Sequence, residues 1–476
     1  MSRFTRVVCA AAAGAVLALA TALPAVGQTP AAPPRPAFQV VRFNENWAVL
    51  RQGVAPARLD KLKYVPLAGG GSFYASLGGQ VRARSEVVDD FMLTDSPLNE
   101  DAFELVRVLL HADVHLGPHL RAFVEGKHAM AFDRALPGGR RPLDHDEIEV
   151  QNAFGELALG GAGPVGLTAR VGRQELLLGS QRLVSPLDWT NTRRTFEGFR
   201  ATVRVKSVAV DGFLTRPVTV DTVELNERDP ATTFWGVALR PVAPAAALAW
   251  ELYGLALAYD GAAPLWGYSG EHERVTVGGR LTGALGSPLT RFDLEGGWQT
   301  GTLGDRDVSA WFMATDLTRS FPTVPLQPAA TLGFDYASAD ADRADGTIGT
   351  FHQLFPLGHA YAGFMDLLGR QNLIEARGVV TAAPTAALSA RASVHRFMRA
   401  DVGDAAYNVG GGVLRPALGS ERTIGTELNL TSGYQLSRYA RIELGYGHFW
   451  PGAFMTGSAA GAVGSDWGYA STAFTF

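Results

Sequence analysis

The chain has 476 residues and a formal net charge of −4; only 18 % of residues are charged, below the quarter usual for soluble domains, and 55 are glycine. Without a basic excess it is not built to bind nucleic acid. Its length admits two or three soluble domains, but no serine-, proline- or charge-rich linker breaks it after about residue 78.

Arg3 and Arg6 precede an apolar run from Val7 to Leu23, and Ala25, Val26 and Gly27 supply a small-residue processing site. That order predicts a secretory signal peptide over residues 1–27 rather than a membrane anchor. Its removal takes both arginines, lowering the net charge from −4 to −6. It also takes Cys9, the single cysteine, so no disulfide is expected in the mature chain. Residues 28–78 read as a lead-in segment whose Pro/Ala-rich start, Gln28 to Pro36, is flexible.

From residue 79 to 476 the dominant pattern is alternation. In "GQVRARSEVV", Gln80, Arg82, Arg84 and Glu86 oppose Val81, Ala83, Ser85 and Val87. In "ELVRVLLHADVHL", Arg107, His111, Asp113 and His115 oppose Val106, Val108, Leu110, Ala112, Val114 and Leu116. "FRATVRVK" sets Arg200, Thr202 and Arg204 against Phe199, Ala201 and Val203, and "ERTIGTELNLTSG" sets Glu427 and Asn429 against Ile424, Leu428 and Leu430. A period of two over such lengths predicts strands. About 18 of them follow one another, mostly ten to thirteen residues long, centred near residues 84, 110, 124, 154, 170, 201, 212, 236, 254, 278, 295, 311, 333, 375, 392, 426, 443 and 471. Globular strands average ~5–6 residues, whereas a tilted strand crossing an outer membrane needs ~9–11. "VAPAAALAWELYGLALAY" is long enough to resemble a membrane helix, but Pro244, Glu251 and Gly254 favour a strand from about Leu248. The expected fold is therefore all-β: a transmembrane antiparallel up-and-down barrel of about 18 strands in a bacterial outer membrane.

The final strand, "DWGYASTAFTF", places Gly468, Ala470, Thr472 and Phe474 on one face and ends in Phe476. An aromatic last residue on an alternating strand is what bacterial barrels present to their insertion machinery. That machinery and outer-membrane lipid are the expected partners, and no nucleic acid is. Trp450, Trp467, Tyr439, Tyr446 and Tyr469 lie near strand ends, where amphipathic rings favour the headgroup boundary.

Three stretches resemble the alginate-export family of outer-membrane barrels: Asp60 to Glu86; Val171 to Val203, with its GRQ turn and DW-N-RRTF-G segment; and Gly349 to Leu373. The resemblance implies an 18-stranded monomeric barrel that passes an anionic polysaccharide, or another anionic solute, through an arginine-rich lumen without catalysis. By parity, Arg82, Arg84, Arg107, Arg121, Lys127, Arg170, Arg200 and Arg204 face that lumen. Arg193 and Arg194 follow a turn that folds into the opening; as neighbours they both serve the lumen only if the backbone there is irregular. Spread guanidinium charge suits anion passage, because it lowers the barrier without one tight site. Inward acids such as Glu86, Asp113, Glu125, Glu156 and Asp211 also predict ordinary pairing across strands. Later inward positions, Asp293, Glu295 and Gln299, are mixed or acidic.

No catalytic residue, metal or cofactor is expected. His111, Asp113 and His115 share a strand face that could bind a metal, but histidines two residues apart often occur by chance. His359 and Asp366 lack a nucleophilic serine elbow. "FDYASADADRADG" fits no dedicated Ca²⁺ loop. The alternatives are a barrel enzyme of lipase or deacylase type, a substrate-specific uptake porin for small organic acids, and an anchor barrel whose loops bind a partner.

Overall fold

The computed structural model describes residues 35–52, 59–68, 71–161, 163–243, 247–261, 263–457 and 461–476. The expected signal peptide, with Cys9, lies outside the described residues, as do residues 28–34 of the lead-in.

Eighteen antiparallel strands close into one barrel. They are β1 (Phe73–Asp89), β2 (Asp101–Leu116), β3 (Leu120–Phe132), β4 (Asp146–Leu159), β5 (Val165–Gln174) and β6 (Phe196–Val205). Next come β7 (Val208–Thr219), β8 (Thr232–Pro241), β9 (Leu248–Tyr259), β10 (His272–Leu285), β11 (Ser287–Leu303) and β12 (Arg306–Ser320). The circle is completed by β13 (Ala329–Ala337), β14 (Leu373–Ala382), β15 (Leu388–Met398), β16 (Thr423–Gln435), β17 (Ala440–Pro451) and β18 (Ser465–Thr475). Every expected strand centre falls inside one of these ranges, and β9 takes the place of the possible helix. No described helix is long and apolar enough to cross a membrane. The first strand starts at Phe73, ahead of the expected residue 79.

Each neighbour pairs with the next, and β1 closes on β18 in a register running from Gln80↔Thr475 to Asp89↔Asp466. The last residue completes the seam: Gly79 N donates to Phe476 O at 2.9 Å and Phe476 N to Gly79 O at 3.0 Å. Closure leaves no strand edge unpaired, which hydrocarbon demands.

The parity reading holds on both faces. Leu332 and Ile148 are each 71 % exposed on the outside, while Arg107 is 1 % exposed within. Trp235, Trp298, Trp311 and Trp450 are exposed outward-facing rings. Trp467 and Tyr469 do not join them: both are buried inside, with Trp467 Nε1 bonded to Glu86 and Tyr469 OH to Glu443. The parity that turns Gly468 and Ala470 outward turns these two rings inward. Ile424 is also buried rather than outward, beside a register irregularity between Phe397 and Met398 that breaks the alternation.

Connections alternate between short turns at one end and long loops at the other, the pattern of outer-membrane barrels, except that β11 and β12 are joined at the long-loop end by Gly304 and Asp305 alone. The long loops do not all stay outside. Leu176, Leu183, Phe351 and Leu354, from the loops 175–195 and 338–372, pack on inward-facing Phe196, Phe213, Phe234 and Phe312. The lumen thus holds an apolar core at its long-loop half, not only solvent and charge.

Candidate functional site

Loop 175–195 crosses the lumen and is gripped by the basic wall of β1, β2 and β3. Arg82 donates to Asp188 O (3.0 Å) and Thr190 O (2.8 Å), and Arg84 to Trp189 O (2.9 Å). Arg107 donates to the same two carbonyls at 3.0 and 2.9 Å and to the Asp188 carboxylate at 2.8 Å. Lys127 reaches Thr192 O at 2.7 Å and pairs with Asp146 at 2.9 Å. Backbone carbonyls thus occupy donors that sequence parity alone leaves facing water.

Arg193 and Arg194 belong to this loop. Arg193 adopts φ +59°, a left-handed conformation that breaks the alternation, so both side chains stay inside. Arg193 binds Glu175 at 2.6 Å, Asp188, and Val40 O at 2.9 Å. Burial pushes the Asp188 carboxyl up, but Arg193 and Arg107 outweigh it and hold it below the ordinary carboxylate range. Among the described residues the Arg194 guanidinium hydrogen-bonds only to carbonyls, Ser185 O and Pro356 O, both at 3.3 Å, and lies 5.5 Å over the Phe355 ring; burial lowers it to about 10. The GRQ glycine, Gly172, has φ +131°, and a Cβ there would collide with Ala153 O on β4. Only glycine permits that close pairing just before the loop departs.

The opposite end of the loop is held by an acidic wall. Arg182 pairs with Glu295 (3.0 Å), Asp316 (2.8 Å) and Asp293 (3.3 Å), which explains why β11 and β12 carry acids inside. Loop 338–372 runs alongside: Ser185 N donates to Phe355 O at 2.9 Å and Phe355 N to Leu183 O at 2.8 Å. Trp189 stacks on His359 with ring centroids 3.7 Å apart, and His359 Nδ1 lies 3.2 Å from Asp366. Gly363, at φ +88°, lets this loop close onto Glu427, where a Cβ would clash.

The remaining bases serve elsewhere. The first described part of the lead-in, residues 35–52, enters the lumen from the short-turn end. Phe43 packs edge-on against Phe123 and Phe154 at 5.6 and 5.0 Å. Arg121 binds Asp113 (2.7 Å) and Phe43 O (2.6 Å), while Arg170 binds Glu156 (2.5 Å) and lies 4.3 Å over the Phe43 ring. Arg42 donates to Gly79 O (3.0 Å) and Phe476 O (2.8 Å), bracing the seam from inside. Arg200 pairs with Asp211, and Arg204 ties down Gly161 O at a short turn. Arg173, on the lipid side by parity, is the penultimate residue of β5 and is neutralised by Glu149 and Glu197. His111 and His115 face separate acids, Glu125 at 3.5 Å and Asp113 at 3.3 Å. Among the described residues no group of three His, Cys, Asp or Glu side chains is placed to hold a metal ion.

Two cavities flank the partition that the loops form. The one toward the long loops measures about 460 Å³ and is lined by Arg84, Glu86, Arg141, Asp144, Arg194 and Asp366, bases and acids in equal number. The one toward the short turns measures about 570 Å³, with Arg280, Arg291, Arg377 and Arg391 against Asp293 and Asp316. Residues 356–367 reach both, with Pro356 and Asp366 on one side and Ala360 and Tyr361 on the other. The arginines of the second cavity were not among the expected path residues. Their parity was legible, since His272, Arg274, Thr276 and Arg280 alternate, but the acids nearby concealed the excess.

The alginate export family model matches residues 73–468. The chain belongs to the alginate export family. Both in-folded loops lie within that match. No curated protein matches the chain. Solved structures that share the barrel include OpdO of Pseudomonas aeruginosa, 12 % identical with a TM-score of 0.57, covering 84 % of this chain and 97 % of that one. OpdQ of Pseudomonas aeruginosa is 11 % identical with a TM-score of 0.55, covering 84 % and 97 %. OccAB1 of Acinetobacter baumannii is 11 % identical with a TM-score of 0.55, covering 84 % and 96 %. At such identities the likeness is one of fold, so this alginate export family member is an outer-membrane-type, porin-like barrel.

Proposed function

We propose that this chain resides in a bacterial outer membrane and passively passes an anionic polysaccharide or a smaller anionic solute. The observation that carries the reading is the short-turn cavity, where four arginines face two aspartates. Arg391 there forms no ion pair with a described residue, so its charge is available to a passing carboxylate. Spread guanidinium groups lower the barrier for anions, and their planar forks bind carboxylates without losing charge. Arg84 and Arg194 line the opposite cavity and stand at the other end of the path. Arg82, Arg107, Arg121, Lys127, Arg170, Arg193, Arg200 and Arg204 act from behind, holding the loop, the lead-in and the turns while adding to the positive field.

In planar bilayers the protein is expected to give an anion-preferring conductance. Changing Arg291 and Arg391 together to Glu is expected to move the reversal potential toward cation preference while the barrel stays heat-modifiable on a gel. Unchanged selectivity would remove this cavity from the path. A second reading, uptake of small organic acids, is favoured by the partition, since each cavity admits a small acid while the loops bar a polymer. Conductance block by small organic acids but not by uronate polymers would select it.

A further inference from the structure

We infer that a monovalent anion, chloride or a carboxylate group, binds inside the barrel at Arg274, held by its guanidinium and the imidazoles of His272 and His352. The site is distinct from both cavities, and its existence does not depend on the pore reading. Arg274 points inward from β10 and is 0 % exposed, yet its Nε, Nη1 and Nη2 atoms have no hydrogen-bond partner among the described residues. His272, two positions earlier on the same face, is buried with Nδ1 equally unpartnered. His352 comes from loop 338–372, its ring centroid 6.2 Å from that of His272 and 5.7 Å from that of Trp266. The Trp266 ring lies 5.3 Å from the Arg274 guanidinium carbon and closes the site from loop 260–271.

The surroundings offer donors and rings. His352 Nδ1 accepts the Leu354 N–H at 3.2 Å, which places the ring proton on Nε2 as a donor. The Trp266 indole N–H is spent on Gly411 O at 2.8 Å. The next inward side chains, Thr276 and Gln299, satisfy each other at 3.0 Å, and Gln299 also bonds the His352 backbone at 2.7 and 2.8 Å. A guanidinium has five N–H donors, no acceptor and a permanent charge, and burying it uncompensated is costly. The missing group is therefore an acceptor that carries negative charge. Burial and the charge of Arg274 push the His352 imidazole well below its ordinary value, so that ring is neutral at pH 7. One fixed charge then remains to be matched, which suits a monoanion better than sulfate or phosphate.

The test uses the full mature protein in detergent and halide-free zwitterionic buffer. Thermal unfolding is followed as sodium chloride, sodium acetate or sodium sulfate is added at equal ionic strength. A saturable rise in Tm with chloride or acetate and not with sulfate is expected, and Arg274→Gln is expected to abolish it. Chloride alone identifies a halide site, acetate alone a carboxylate site. Because Arg274→Gln can fail to assemble, crystals of the unmodified protein soaked in bromide supply a second readout, an anomalous peak within hydrogen-bond distance of the Arg274 guanidinium. A Tm that responds equally to all three salts, or to none, together with no bromide peak, overturns the site. Neither result bears on ion selectivity in bilayers, so this failure is separable from that of the pore reading.

Discussion

Asp188 shows how one carboxylate sets the state of the lumen. It bridges Arg107 on the barrel wall and Arg193 in its own loop, and those two cations hold its pKa below the ordinary range despite burial. A carboxyl depressed by folding contributes stability that is fully present above its unfolded value, about 3.9, and is lost as pH falls through the lower folded value. The loop is therefore expected to stay docked through mildly acidic pH and to loosen only below that unfolded value. Conductance measured against pH, with Trp189 fluorescence as a local readout, checks this. Asp188→Asn should give the loosened state at pH 7; a variant whose conductance and fluorescence match the unmodified protein would show that the carbonyl contacts alone suffice. Arg107→Met removes a buried cation but leaves Asp188 partly solvated and still paired with Arg193, so it should lower thermal stability by less than the about 3–5 kcal/mol of a fully buried pair that loses one partner.

The lead-in is the element whose role was least visible beforehand. Val41, Phe43 and Trp47 are buried, and Phe43 fills a slot between Phe123, Phe154 and the Arg170 guanidinium. It narrows the short-turn half of the lumen along β1 to β5, leaving the open cavity against β10 to β15. Truncating a buried Phe to Ala costs about 3–5 kcal/mol. Here that loss falls on the docking of one short segment, since the barrel strands pair without it. Phe43→Ala is expected to raise single-channel conductance with little effect on heat-modifiability. Conductance identical to that of the unmodified protein would mean that ions already pass elsewhere. The segment also touches the Arg193 loop through Val40, so both elements are expected to loosen together.

At the scale of the molecule, closure depends on a seam that ends with the last residue. Phe476 exchanges two backbone hydrogen bonds with Gly79, and Arg42 caps its carbonyl. Deleting Phe476 removes those bonds as well as the aromatic terminus that we propose is offered to the insertion machinery. The expected outcome is less heat-modifiable barrel in outer-membrane fractions, with Phe476→Tyr restoring it. Normal assembly after the deletion would assign both roles to β18 alone. The arrangement inside is equally a property of the whole. The basic wall of β1 to β3 and the acidic wall of β11 and β12 hold opposite ends of a single loop, through Asp188 and the neighbouring carbonyls on one side and Arg182 on the other. A mixed lumen, read along each strand separately, looks like a weak anion path; assembled, most of its charge is structural and the excess gathers in one cavity.

Alternation, strand length and the aromatic terminus determined the barrel from sequence alone, because in hydrocarbon every backbone group must pair within the sheet and period two assigns each side chain to lipid or lumen. The same rule placed Arg82, Arg107, Arg121 and Arg170 inside. It was silent on what each would meet. Partners separated by tens to hundreds of residues, such as Arg107 with Asp188, Arg121 with Phe43 and Arg182 with Asp316, come together only when the sheet closes and the loops fold inward. The tertiary structure alone decided which cations are spent on carbonyls and which still face open space, because a strand's periodicity describes its own faces and carries nothing about what fills the volume it encloses.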